Sequence, residues 1–283
     1  MKFTKVQGTG NDFVLVDAAA LPIREGERDW VGLARAMCDR HFGIGSDGLL
    51  LLTSHTPPFP MRMFNPDGSE AEACGNGLRC LGMYLAESGL AGPGPIAVVT
   101  AAGPRTLHTE AKGGRVGRVR VDMGIPHFQA GEIPLSTLIP RSPILDHYIE
   151  VAGRQLALSF VNMGNPHAVC FVEDVDGFPL TEVGPLVEHH PLFPQRINFE
   201  IVRVVDRGHL RARVWERGVG ETLSCGSGAC AIVVAARLHN IADSPVEIAL
   251  PGGTLTLRWE PGGEVELSGP AAIVFEGDWK EAP

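Results

Sequence analysis

Apolar residues alternate with polar ones over many short stretches of this chain and fall at helical spacing over only a few. Lys2 to Asp17 reads as two strands around a Gly-Thr-Gly-Asn turn, the second carried by Phe13-Val14-Leu15-Val16. Behind Asp29, a suitable helix cap, Val31, Leu33, Ala34, Met37 and Cys38 predict a helix through about Arg40. Leu49 to Leu52 and Met61 to Phe64 read as strands, followed by the turn Asn65-Pro66-Asp67-Gly68. Leu78, Leu81, Met83, Tyr84 and Leu85 then mark a helix that starts at Ala73-Cys74-Gly75-Asn76-Gly77. Strands near 96–101, 105–111 and 116–122 follow, with Gly113-Gly114 as a hairpin turn.

The second half repeats this plan. Strands are expected near 155–162 and 167–173, a short helix from Pro179 to Leu186, and strands near 201–205 and 209–216. Ala231 to Ala235 and Leu238 form a helical run behind Ser224-Cys225-Gly226-Ser227-Gly228, and strands at 245–249, 253–259 and 264–268 come after it. Ala272-Ile273-Val274-Phe275 can return to the first half. Few helices among many short strands predict an α+β fold, with each sheet wrapped around one central helix.

The repetition has a measurable period. Cys225 follows Cys74 by 151 residues, and Glu221 follows Glu70 by the same interval. Gly10-Asn11-Asp12-Phe13 is echoed by Gly164-Asn165-Pro166-His167 at an offset of 154. So long a period indicates two similar domains rather than a solenoid. The expected domains are 1–122, with the strand segment 271–283 returning to it, and 123–270. They are pseudo-symmetric, and the ligand site is expected in the cleft between them.

Composition narrows the function. A chain of 283 residues with 44% hydrophobic and 20% charged residues can bury a core in each half. A net charge of −9 argues against nucleic acid and anionic membrane as partners. No signal peptide is expected, and the apolar runs are too short to span a bilayer. The six cysteines form no CxxC pair and no zinc spacing, so reduced thiols and a cytoplasmic location are expected. Gly43-Ile44-Gly45-Ser46-Asp47-Gly48 matches a dinucleotide fingerprint in letters only, because a helix precedes it and a strand follows.

Chemistry concentrates at two cysteines. Cys38, Cys80, Cys170 and Cys230 read as small core residues. Cys74 and Cys225 each stand before Gly-polar-Gly at a helix start, where amides and the helix dipole are expected to lower the thiol value into the working range. Two facing thiols suit proton transfer through a planar carbanion, one removing a proton and the other returning one to the opposite face. The helix starts also offer amides to a substrate carboxylate.

Several motifs, in this order, resemble the diaminopimelate epimerases over essentially the whole chain. They are Gly8-Thr9-Gly10-Asn11-Asp12-Phe13, Phe64-Asn65-Pro66-Asp67-Gly68-Ser69, Ala73-Cys74-Gly75-Asn76-Gly77, Gly164-Asn165-Pro166-His167, Glu216-Arg217-Gly218 and Ser224-Cys225-Gly226-Ser227-Gly228. The resemblance implies an enzyme without cofactor or metal that interconverts LL- and meso-diaminopimelate, a step toward lysine and peptidoglycan precursors. It implies that Cys74 and Cys225 are the catalytic bases, and that Gly75, Asn76, Gly226 and Ser227 donate to the reacting carboxylate. It further implies that Asn11, Asn65, Asn165, Asn198, Glu216 and Arg217 grip the rest of the substrate, and that His167 and Glu216 tune the thiols. Some members of the family have glutamine where this chain has Gly48, which is left out of the site.

The partner expected is this small molecule, and a homodimer is left open. Competing readings are a proline racemase-like or hydroxyproline epimerase-like enzyme, a thiol-redox protein using Cys74 and Cys225 as a reversible pair, and a non-catalytic binding module. Glu216 beside Arg217 favours a substrate with a second ammonium and carboxylate.

Overall fold

The computed structural model describes residues 1–22, 28–71, 74–112, 115–137 and 139–280. Ala73, the Gly113-Gly114 turn and residues 281–283 of the expected last segment lie outside the described residues.

Strands β1 (Lys2–Gly8) and β2 (Asn11–Asp17) pair antiparallel across a turn in which Thr9 and Gly10 take positive φ. Asp29 caps α1 (Trp30–Cys38) by accepting from the Gly32 amide at 2.8 Å. Strand β3 (Gly48–Leu52) runs parallel to β2, and β4 (Phe59–Phe64) antiparallel to β3. β5 (Glu70–Ala71) folds back on β4 just before α2 (Gly75–Glu87). β6 (Ile96–Thr100) lies parallel to β4, and β7 (Gly103–Lys112) and β8 (Arg115–Asp122) continue antiparallel.

This sheet wraps α2, which packs on β1, β2, β7 and β8. β3 is buried throughout, because its two faces meet different helices. Leu49 and Leu51 join the α1 core with Val14 and Val16, while Leu50 reaches toward Gly77 of α2.

The second half follows with β9 (His147–Val151), β10 (Arg154–Asn162), β11 (Pro166–Phe171), α3 (Leu180–Glu188), β12 (Asn198–Asp206) and β13 (His209–Glu216). β14 (Gly220–Thr222), α4 (Gly226–Leu238), β15 (Val246–Leu250) and β16 (Gly253–Arg258) come next, then β17 (Glu266–Pro270) and β18 (Ala272–Asp278). β11 and β12 are parallel, as are β13 and β15, and the remaining pairs β9–β10, β10–β11, β12–β13, β13–β14 and β15–β16 are antiparallel. This is the pairing order of β1 to β7 repeated, with α4 in the place of α2. A side-chain detail repeats too: Arg62 grips Glu70 with two hydrogen bonds (2.7 and 2.9 Å), and Arg213 grips Glu221 likewise (2.7 and 3.0 Å).

α4 is apolar on every side, and Gly228 to Ala236 are all buried against β10, β11, β12 and β16. Each of Ile232, Val233 and Val234 contributes about 1.5–3 kcal/mol by leaving water. The chain divides into two compact units, Met1–Asp122 with Ser268–Pro283, and Met123–Leu267. β18 lies antiparallel on β1, and Phe275 meets Phe3 edge-on at 5.9 Å.

Three expectations need correction. The strand expected near 201–205 begins at Asn198, so Glu200 is a strand residue. The one expected at 264–268 runs 266–270. β9 was not expected, since only Ile149 and Val151 of its five residues are buried. Among the described residues no helix is long and apolar enough to cross a membrane.

Candidate active site

Each central helix begins at a cysteine. Cys74 is the N-cap of α2 and Cys225 the N-cap of α4, both with extended backbone (φ −140° and −114°). The first intrahelical bonds run from Leu78 N to Cys74 O (2.9 Å) and from Ala229 N to Cys225 O (3.0 Å). The amides of Gly75 and Asn76, and of Gly226 and Ser227, precede those bonds and therefore point out of the helix start, beside the thiol.

Around Cys74 the side chains form a chain of hydrogen bonds. Asn11 Nδ2 donates to Asp47 Oδ2 at 2.7 Å, and Arg40 Nη2 donates to Asp47 Oδ1 at 2.7 Å. An acceptor behind Asn11 fixes its carboxamide with Oδ1 forward. That oxygen accepts from Asn76 Nδ2 at 3.2 Å and from the Cys74 thiol at 3.7 Å. Cys74 itself is half-buried. Beneath it, Arg40 and Lys5 both bind Asp12; burial alone would raise this carboxyl, but their hydrogen bonds and charge outweigh it and hold it below its ordinary value. Asn65 keeps to its own turn, donating from Nδ2 to Ser69 Oγ at 3.0 Å.

Cys225 has a different setting. It is 6% exposed, its Sγ accepts from the Gly228 amide at 3.4 Å, and Ser227 Oγ lies 3.5 Å away. Burial pushes the thiol well above its ordinary value, and the nearby Glu216 and Glu200 carboxyls push the same way. The expected lowering by the helix start is therefore overturned here: one amide and one hydroxyl are outweighed by desolvation and two acidic neighbours. Glu216 is raised as well, by burial first, although Thr222 Oγ1 and the Cys225 thiol donate to it.

The other residues singled out in this unit converge. His167 Nε2 lies 2.9 Å from Asn165 Oδ1, and His167 Nδ1 lies 2.7 Å from Glu200 Oε1 with both side chains fully buried. Asn198 ties two motifs together: Nδ2 donates to Pro166 O at 2.8 Å, and Oδ1 accepts from Arg217 N at 2.9 Å. The exposed Arg217 guanidinium reaches Gln195 O at 3.2 Å. Gly48 occupies the ladder position matching Asn198, and a Cβ there would stand 2.9 Å from Phe64 O, so a side chain would require the neighbouring strand to shift.

Glu200, Thr222, Asp47 and Arg40 were not singled out. Glu200 could have been found as the one acid inside Phe199-Glu200-Ile201-Val202. The other cysteines are core residues, with burial pushing Cys80 up to about 12 and Cys170 to about 11. Among the described residues no group of three or more His, Cys, Asp or Glu side chains could hold a metal ion.

Comparison with known proteins gives one family. The family model described as diaminopimelate epimerase matches residues 3–129 and 159–274. A diaminopimelate epimerase of Moorella thermoacetica is 50% identical over 281 residues, covering 99% of each chain, and that of Acetivibrio thermocellus is 45% identical over 280, covering 98% of each. Solved structures with the same fold include a probable proline racemase of Agrobacterium radiobacter (TM-score 0.70, 16% identity, 100% of this chain and 93% of that one). A hydroxyproline epimerase of Agrobacterium vitis gives 0.67 at 16% identity, covering 98% and 91%. At 45–50% identity along nearly its full length to enzymes of one name, this chain belongs to the diaminopimelate epimerase family.

Proposed function

We propose that this epimerase interconverts LL- and meso-diaminopimelate by two-base proton transfer, with Cys74 and Cys225 acting on opposite faces of one α-carbon. The observation that carries this reading is the pair of cysteines, each at the N-cap position of the central helix of a repeated unit. In one direction a thiolate takes the α-proton, so a C–H bond breaks, an S–H bond forms and the electron pair passes into the carboxylate. The opposite thiol then gives its proton to the other face and becomes the thiolate. The reverse direction exchanges the roles. Raised by its surroundings, Cys225 rests as the thiol, the acid of the pair.

The amides of Gly75, Asn76, Gly226 and Ser227 stabilise charge on the reacting carboxylate. Arg217 takes the distal carboxylate, and Asn11, Asn65, Asn165, Asn198 and Glu216 hold the remaining polar groups. His167 and Glu216 set the protonation of the Cys225 side.

The test is exchange in heavy water with LL-diaminopimelate and no added cofactor, followed by mass and chiral analysis. Deuterium at one α-carbon together with the meso isomer is expected, and Cys74→Ala or Cys225→Ala should each lower kcat at least about a thousandfold. Exchange on proline or hydroxyproline in its place would move the protein to another substrate. Near-normal turnover in either variant would end the two-base mechanism.

A further inference from the structure

Matching ladder positions in the two units carry different side chains beneath the helix start. Phe13 pairs with Gly48 as His167 pairs with Asn198, so Leu50 and Glu200 correspond. A Cβ on Gly77 would stand 3.2 Å from Leu50 Cδ2, and one on Gly228 would stand 2.8 Å from Glu200 Oε1. One unit thus places Phe13 and Leu50 where the other places a buried His167 and Glu200. Burying a carboxyl is costly, and Glu200 Oε2 has no hydrogen-bond partner among the described residues. Leucine at the equivalent place shows that this backbone does not need an acid there.

The consequence is visible at the asparagines. Asn11 is backed by the Asp47 carboxylate and shows its oxygen toward Cys74. Asn165 is backed by a donor, His167 Nε2, so its oxygen is used and its NH2 is left for a ligand. This holds only while Nε2 carries hydrogen. A proton shared between Glu200 and Nδ1 ensures it, whether the pair is written as acid and imidazole or as carboxylate and imidazolium. If the pair loses that proton, hydrogen remains on Nδ1, facing the Glu200 carboxylate. Nε2 then becomes an acceptor and the Asn165 carboxamide reverses. Burial raises the Glu200 carboxyl, which favours keeping the proton. The titratable groups facing the pair are Glu216 of β13 and Cys225 at the start of α4.

We propose that Glu200 is a positioning residue: acting through His167, it holds the Asn165 carboxamide with its NH2 toward an anionic oxygen of the substrate, opposite in sense to the acceptor that Asn11 presents. The proposal rests on the reading above in which Asn165 contacts substrate, and its first readout is independent of turnover. Nitrogen NMR of the full chain with isotope-labelled histidine should show His167 protonated at Nε2 near neutral pH, in wild type and in Glu200→Gln, whose amide donates to Nδ1 as the acid does. His167 bare at Nε2 in the wild type would overturn the proposal whatever the substrate.

In kinetics with LL-diaminopimelate, Glu200→Leu should raise KM about tenfold with a smaller change in kcat, the cost of misorienting one hydrogen bond to a charged group. Wild-type KM should climb with rising pH as the shared proton is lost, since burial raises the Glu200 carboxyl, and Glu200→Gln should keep KM near wild type and abolish that climb. An equal KM rise in Glu200→Gln and Glu200→Leu would overturn the proposal. Absence of wild-type turnover with the expected NMR result would instead count against the assigned substrate.

Discussion

At the scale of single residues the two thiols are unequal. Cys74 is half-buried and hydrogen-bonds Asn11, whereas Cys225 is enclosed beside two carboxyls that push its value up. Only the thiolate attacks an alkylating reagent, and its fraction grows tenfold per pH unit while pH stays below the thiol value. Iodoacetamide should therefore mark the Cys74 peptide first near neutral pH. The Cys225 rate should rise about tenfold per unit above pH 7, because its raised value keeps it a thiol there. Peptide mass mapping checks this, and a Cys225 rate flat with pH would mean a thiolate at rest. The helix starts at both cysteines were legible, because Gly-polar-Gly followed by an apolar period has few other meanings. The sign of the Cys225 shift was not, since it comes from burial first and then from Glu216 and Glu200, all of which act on the thiol only after β12 and β13 are folded.

At the scale of elements, two glycines in equivalent turns answer to different neighbours. Gly77 faces Leu50, whose methyl can yield the few tenths of an ångström that a Cβ requires. Gly228 faces Glu200 Oε1 at 2.8 Å and Cys225 Sγ at 3.4 Å, and Glu200 is pinned by His167. Gly77→Ala should leave stability within about 1 kcal/mol, since added helix propensity offsets the crowding. Gly228→Ala should cost about 1–3 kcal/mol and depress kcat more than Gly77→Ala. Urea melts and steady-state rates of the two variants decide it, and equal effects would mean that Glu200 moves freely. Most strands were legible as alternating runs. The start of β12 was missed because Glu200 breaks its apolar run, and β9 because half-exposed alternation amid prolines resembles loop.

At the scale of the whole molecule, the 151-residue period in the sequence becomes a repeated pairing order, yet the units are built from the chain differently. Unit Met123–Leu267 is continuous, while the other takes back the C-terminal segment. β18 covers one side of β1 from Lys2 to Gln7, and Phe275 shields Phe3. Residues of the same segment serve two buried or half-buried arginines: Pro270 O accepts from Arg79 Nε at 3.3 Å and Ser268 O from Arg118 Nη2 at 3.2 Å. A chain ending at Leu267 would leave β1 as an unpaired edge and strip Arg79, a fully buried cation, of one acceptor. Its unit should lose stability while the continuous one retains its ladder and the α4 core. Because the units need not unfold together, a single melting temperature is a poor measure. Hydrogen exchange resolved by peptide is the right one. Protection should fall in β1, β2 and α2 of the truncated chain and persist in β11, β12 and α4. Equal loss across both sets would show that the continuous unit draws its stability from the other, contrary to its self-contained core.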